Sequence, residues 1–191
     1  MVDIKRCAWV DPKNKIYLEY HDKVWGVPVH DDRKLFEMLI LEGAQAGLSW
    51  ETVLKKRLNY KKAFDDFDPQ KVAQYGEVKK SELLEDKGII RNRLKIKSAI
   101  QNAKVFLDIQ KEFNSFDSYI WSFVGGKPIQ NNFRSISELP AKTELSDIIS
   151  KDLKKRGMNF TGSTIIYAFM QSIGMVNDHE VSCFRYLKVN D

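Results

Sequence analysis

The run NRLKIKSAIQNAKVFLDIQKEF, residues 92–113, decides the fold class. Ile96, Ile100, Ala103 and Leu107 recur at i, i+4, i+7 and i+11, so they fall on one stripe of a helix. The same spacing returns on either side. Leu35, Leu39, Glu42 and Ala46 share a face after Asp31 and Asp32, which can cap a helix start. Asp68-Pro69 sets a cap before a first-turn proline and opens a short helix over Gln70 to Gln74. Asp117 to Phe123 reads as an aromatic-rich helical turn. Leu145, Ile148, Ile149 and Leu153 repeat the pattern up to Gly157, a C-terminal cap, and Ser163 to Met175 continues as a very apolar helix. No alternating strand runs, internal repeat, low-complexity tract or linker interrupts this. The expectation is an all-α chain forming one domain over 1–191, with the first 30 residues irregular and docked against the C-terminal stretch.

The 191 residues carry 31 Lys+Arg against 26 Asp+Glu, a surplus of +5. A chain of this length can bury a core without disulfide staples. The N-terminal Met1-Val2-Asp3-Ile4-Lys5-Arg6 has no apolar signal core, and no run approaches a membrane span, which points to a cytoplasmic protein. Two cysteines 176 positions apart in a reducing compartment point to metal or free thiols ahead of a disulfide. The basic residues cluster at Leu54 to Arg57, in the acid-free run Lys87 to Lys97, and at Leu153 to Gly157. Such clusters suit a phosphate backbone, but each taken alone reads first as a solvated helix face.

His179 and Cys183 stand four apart, a spacing that one helix face would present together. Cys7 and His21 make a second Cys/His pair at the other end of the chain. The four form a Cys2His2 set suited to zinc, and four protein ligands would make the site structural. The alternative is an unliganded histidine pair with two buried thiols.

Glu42 lies in Leu39 to Trp50, among small residues and on the apolar face. A carboxylate turned into a core needs a hydrogen bond or a counter-charge, so it either meets a ligand or pairs within the protein. Tyr17, Tyr20, Trp25 and Trp50 surround it in sequence, and aromatics with a buried acid suit a flat, electron-poor, hydrogen-bonding ring; such aromatics are also ordinary core. Further on, Lys154 to Thr164 sets a basic helix end, a turn and a Ser/Thr-rich helix start in succession. Free backbone N–H groups at Gly157, Phe160, Thr161, Gly162, Ser163 and Thr164 would face an anion, as in a helix-hairpin-helix gripping a DNA phosphate, although Gly-Ser-Thr before a helix is also ordinary capping.

Cys7-Ala8-Trp9-Val10, Tyr20 to Pro28, Leu35 to Met38, Leu41 to Trp50, Gly88 to Arg91, Trp121 to Phe123, Leu153 to Gly162 and Asn177-Asp178-His179 together resemble the 3-methyladenine DNA glycosylase I family, in order and over almost the whole chain. The Cys7 to His21 segment is one residue longer than the family pattern. The resemblance implies a helix-hairpin-helix fold, with the hairpin at about 145–175. It also implies one structural zinc on Cys7, His21, His179 and Cys183, tying segment 1–30 to 177–186. Glu42 becomes the acid that recognises the damaged base, in a pocket of Tyr17, Tyr20, Trp25 and Trp50, and is also the candidate catalytic residue, through an electrostatic role. The implied protein is a bacterial monomer acting on alkylated double-stranded DNA and releasing free 3-methyladenine. Asn177 falls where related enzymes carry a catalytic Asp, and the hairpin shows no lysine nucleophile, so hydrolysis by water is implied. Two other classes compete: a non-catalytic DNA-binding module with Glu42 as core, and a zinc hydrolase, which an open coordination position would require.

Overall fold

The computed structural model describes residues 4–188; residues 1–3 and 189–191, the ends of the expected 1–191 domain, lie outside the described residues. Nine α-helices occur among them: α1 (Lys15–Lys23), α2 (Asp32–Gln45), α3 (Trp50–Ala63), α4 (Pro69–Val72), α5 (Glu77–Glu85), α6 (Arg93–Phe113), α7 (Phe116–Ser122), α8 (Glu144–Lys155) and α9 (Ser163–Ser172).

α2 is the central element and packs on α3, α6, α7 and α9. It starts where the Asp31 side chain accepts from the Lys34 N–H, and every residue from Met38 to Ala44 is buried. Both of its ends are fixed by charge. At the start, the Asp32 carboxylate accepts from the N–H groups of Phe116 and Asp117 at 2.9 and 2.8 Å, so one acid joins α2 to the positive end of α7. At the finish, Lys95 of α6 donates to the carbonyls of Ala44 and Ala46, each at 2.7 Å, filling orphan acceptors of the last turn. Gln45, between those two carbonyls, is thereby held beside the first turn of α6.

Several sequence expectations need correction. The first 30 residues are not all irregular, since α1 forms with Asn14 as its cap. α9 stops at Ser172, before the expected Met175, because Gly174 turns the chain at φ +68°. Ile148 is 49% exposed, so the buried face of α8 is carried by Ile149 and Leu153 with Ser146 and Ser150. Residues 177–183 are not a helix. The chain there first runs extended, and β2 (Val176–Asn177) pairs in parallel with β1 (Ile129–Gln130), a strand pair absent from the sequence reading because two residues show no alternation. No helix among the described residues is long and apolar enough to cross a membrane.

The N-terminal segment closes against the end of α9. Gly26 N–H donates to Gln171 O at 2.9 Å and Val29 N–H to Ile173 O at 3.0 Å. Between these bonds Gly174 sits so close that a Cβ would lie 2.3–2.5 Å from the backbone of Val27 and Pro28. Positive φ and this contact each exclude a side chain. Gly174→Ala should therefore destabilise the protein by about 3 kcal/mol or more, read as a large fall in the denaturant midpoint, whereas Gly76→Ala, with open space around it, should cost far less.

Candidate functional site

Cys7, His21, His179 and Cys183 meet at one buried point, their donor atoms all within 4.8 Å of one another. His21 Nε2 lies 3.4 Å from Cys183 Sγ, and His179 Nδ1 lies 3.4 and 3.5 Å from the sulfurs of Cys7 and Cys183. A tetrahedral ion with bonds of about 2.0–2.3 Å would separate its ligands by roughly 3.3–3.8 Å, so the donor set fits zinc in chemistry and these three separations fit it in spacing. The far side of each ring is already committed. His21 Nδ1–H donates to Asp22 at 2.7 Å, and Asp22 is gripped by Arg6; His179 Nε2–H donates to the Trp25 carbonyl at 3.1 Å. Those bonds aim His21 Nε2 and His179 Nδ1 inward as lone pairs. Backbone N–H groups of Glu180 and Arg185 point at the two sulfurs. The hydrogen bond from the Cys7 thiol pulls the Cys183 thiol well below its ordinary range, against its burial. His179 and Cys183 are joined by a turn, not by the expected helix face.

The same short segment builds a pocket on its other side. Tyr17, Tyr20, Trp25, Glu42 and Trp50 line one cavity of about 260 Å³, so all five residues expected there are brought together. Trp9, Gln45 and Gln171 join them, unanticipated. Trp9 sits edge-on to Tyr17 and to Trp25, at 5.8 and 5.1 Å between ring centres. Its only sequence signal was its place two residues after Cys7. The indole N–H groups of Trp9 and Trp50 are buried, with no hydrogen-bond acceptor among the described residues. Gln171 is oriented by a buried acid: Asp178 accepts from Gln171 Nε2 at 2.8 Å, from Tyr167 at 2.5 Å and from Asn131 at 2.7 Å. Asn177 is spent on structure, donating to Gln130 and to the Tyr186 carbonyl while accepting from the His179 N–H.

Glu42 is 3% exposed and belongs to no ion pair among the described residues. Burial pushes its carboxyl up to about 8, opposed by a hydrogen bond with Ser172. The pocket thus joins stacking faces, unmatched indole donors and an acid that gains by meeting a cation or a hydrogen-bond donor. It contains no lysine.

The turn from α8 to α9 presents backbone more than side chains. Gly157 and Phe160 both have positive φ, at 100° and 53°. Gly162 precedes α9 with no side-chain cap and open space about its Cα, which leaves the N–H groups of Ser163 and Thr164 without helical partners. Of the residues expected at DNA, Thr161 is buried, and Phe160 turns inward until its Cβ lies 3.4 Å from where a Cβ on Gly43 would stand. Arg156 is engaged by Asp152 and Glu112.

A helical protein with a heterocycle-sized aromatic pocket, a buried acid and an open hairpin turn is the class these features define. Residues 9–186 match the methyladenine glycosylase family, and the chain belongs to that family. It is 50% identical over 183 residues to DNA-3-methyladenine glycosylase 1 of Escherichia coli (strain K12), covering 96% of this chain and 97% of that protein. A crystal structure of 3-methyladenine DNA glycosylase I superposes with a TM-score of 0.91 at 49% identity, covering 94% of this chain and 98% of the other. A structure from Staphylococcus aureus, described as giving the basis of 3-methyladenine recognition, has the same TM-score of 0.91 at 36% identity, covering 95% and 96%.

The raised Glu42 value has a consequence for stability. Between about pH 4.5 and 8 the folded protein keeps a proton that the unfolded chain has released, so this group makes stability fall as pH rises through that window. Glu42→Gln has no such proton. Its thermal midpoint relative to the parent should rise steadily from pH 5 to 8, measured by calorimetry; equal pH profiles would show that Glu42 is not held neutral.

Proposed function

We propose that this protein serves base-excision repair by removing 3-methyladenine hydrolytically from alkylated double-stranded DNA, as a monofunctional glycosylase. The observation that carries the reading is Glu42: a buried carboxyl without a cationic partner, facing an aromatic cavity. An adenine methylated at N3 is a cation in DNA, attracted to aromatic faces and to a carboxylate. Reaching the pocket requires flipping the nucleotide out of the stack, which costs least for a damaged base. Tyr17, Tyr20, Trp9, Trp25 and Trp50 enclose the ring, and Glu42 accepts hydrogen bonds from its edge. The C1′–N9 bond then breaks with its electron pair going to the purine, which leaves as neutral 3-methyladenine. Water bonds to C1′ and loses a proton. The absence of lysine from the pocket lining agrees with hydrolysis in place of a Schiff base. The turn from α8 to α9 acts as the helix-hairpin-helix, its free N–H groups at Gly162, Ser163 and Thr164 holding a backbone phosphate.

One zinc ion would be held by Cys7, His21, His179 and Cys183 and would supply structure, not reaction chemistry, since all four positions are protein ligands. Trp25 supports this division: its carbonyl orients His179 while its ring lines the pocket, so an ordered cluster orders the wall.

Incubation with methylated DNA tests the reading directly: free 3-methyladenine should be released, and intact alkylated DNA would refute it. Glu42→Gln should bind free 3-methyladenine roughly ten- to a hundredfold more weakly by calorimetric titration, the worth of a charge-assisted hydrogen bond at about 1.5 to 3 kcal/mol. Carefully purified protein should contain about one equivalent of zinc, and Cys183→Ala should lose both the metal and much of the thermal stability.

A further inference from the structure

A groove of about 580 Å³ runs beside the α8–α9 turn and is not part of the base pocket. One wall is α6, with Lys97, Gln101 and Lys104; the other is formed by Lys80 of α5 and by Gly157 and Asn159 of the turn. Its electrostatics are one-sided. From Lys87 to Leu107 the chain has six Lys and Arg and no acid. Lys80 holds Glu77 at 2.7 Å, but neither Lys97 nor Lys104 forms an ion pair among the described residues. Both are exposed, and seven helical residues separate them, about 10 Å along α6. Two unpaired cations on a concave surface raise its affinity for polyanions.

What fills the groove follows from what it adjoins. At the turn it shares Phe160 with the packing against Gly43, the residue next to Glu42. At the start of α6, Lys95 holds the carbonyls of Ala44 and Ala46, which flank Gln45 of the base pocket. The groove therefore abuts the turn directly through Gly157, Asn159 and Phe160, and its α6 wall begins where Lys95 holds the end of α2 that carries Gln45. A duplex whose damaged nucleotide enters the pocket and whose phosphate meets the turn would carry its backbone onward past α6.

We propose that this groove is a second phosphate track, in which Lys97 and Lys104 hold the DNA backbone beyond the phosphate gripped at the turn. The inference rests on the proposed action on DNA and adds to it a contact surface outside the hairpin. Such contacts position without reading sequence.

The test is the Lys97→Gln/Lys104→Gln double variant, with duplex affinity measured on an abasic-site duplex between about 50 and 200 mM salt. Each lost phosphate contact lowers the slope of log affinity against log salt by about 0.9, so the double variant should show a slope smaller by about 2. Its affinity for free 3-methyladenine and its thermal midpoint should match the parent, since both side chains are exposed and outside the base pocket. A slope equal to the parent's overturns the track, and would direct attention to an acidic protein as the occupant. Release of 3-methyladenine by the parent protein is scored separately. An active parent with an unchanged variant slope removes the track alone, whereas a parent that releases no base removes the functional reading beneath it.

Discussion

Two cysteines and two histidines from residues 7, 21, 179 and 183 must share one buried point, and much of the site hangs from that convergence. Thiols and imidazoles packed this closely have little water, and their lone pairs face one another. Such a cluster is satisfied when a cation sits at its centre or when protons are shared among its members, as between Cys7 and Cys183. Each outward-facing ring nitrogen is tied to a different part of the N-terminal segment, one to Asp22 and one to the Trp25 backbone. Cys7, Trp9, Tyr20, His21 and Trp25 thus alternate between the cluster and the pocket. Holding one set of side chains fixes the other without further contacts.

Against that fixed wall stands α2, which meets the opposite requirement. Burying a carboxyl on a helix packed on four others is unfavourable unless the rest of the helix compensates. α2 is buried almost throughout, and both of its ends are tied down, by Asp32 to α7 and by Lys95 from α6. The apolar contacts along the helix offset the cost of keeping Glu42 dry. Glu42 is thereby held at a defined place without a counter-ion of its own, open to a ligand that brings positive charge or donors.

The sequence disclosed the helices wherever apolar period and cap chemistry agreed. Asp31 and Asp68 cap α2 and α4 as their residue types suggest. α1, α3 and α5 were missed because their buried faces are thin: α1 buries only Tyr20 and His21, α3 only Val53 and Tyr60, and α5 only Leu83. The spacing of His179 and Cys183 suggested a helix, but Gly174 and the crossing over Val27 force the chain into an extended segment first. Which four residues meet in the cluster was legible from side-chain chemistry, since both cysteines of the chain take part. Gln171 was not, because its place depends on Asp178, whose burial arises only when α9, residue 131 and the crossing after Gly174 are assembled.

The separation of residues 7 and 183 bears on how the protein acquires its site. The loop they close spans 176 positions, among the least local contacts of the chain. The entropy of closing so long a loop grows only slowly with its length, so equilibrium stability is little affected, but the search is slow. Helices α2 to α9 can pack on one another before it ends. The aromatic wall has to wait until residues 179 and 183 have been synthesised and Gly174 has passed Val27. During translation the helical body therefore forms ahead of its pocket, and Glu42 stays open to water until the last long-range contacts are made.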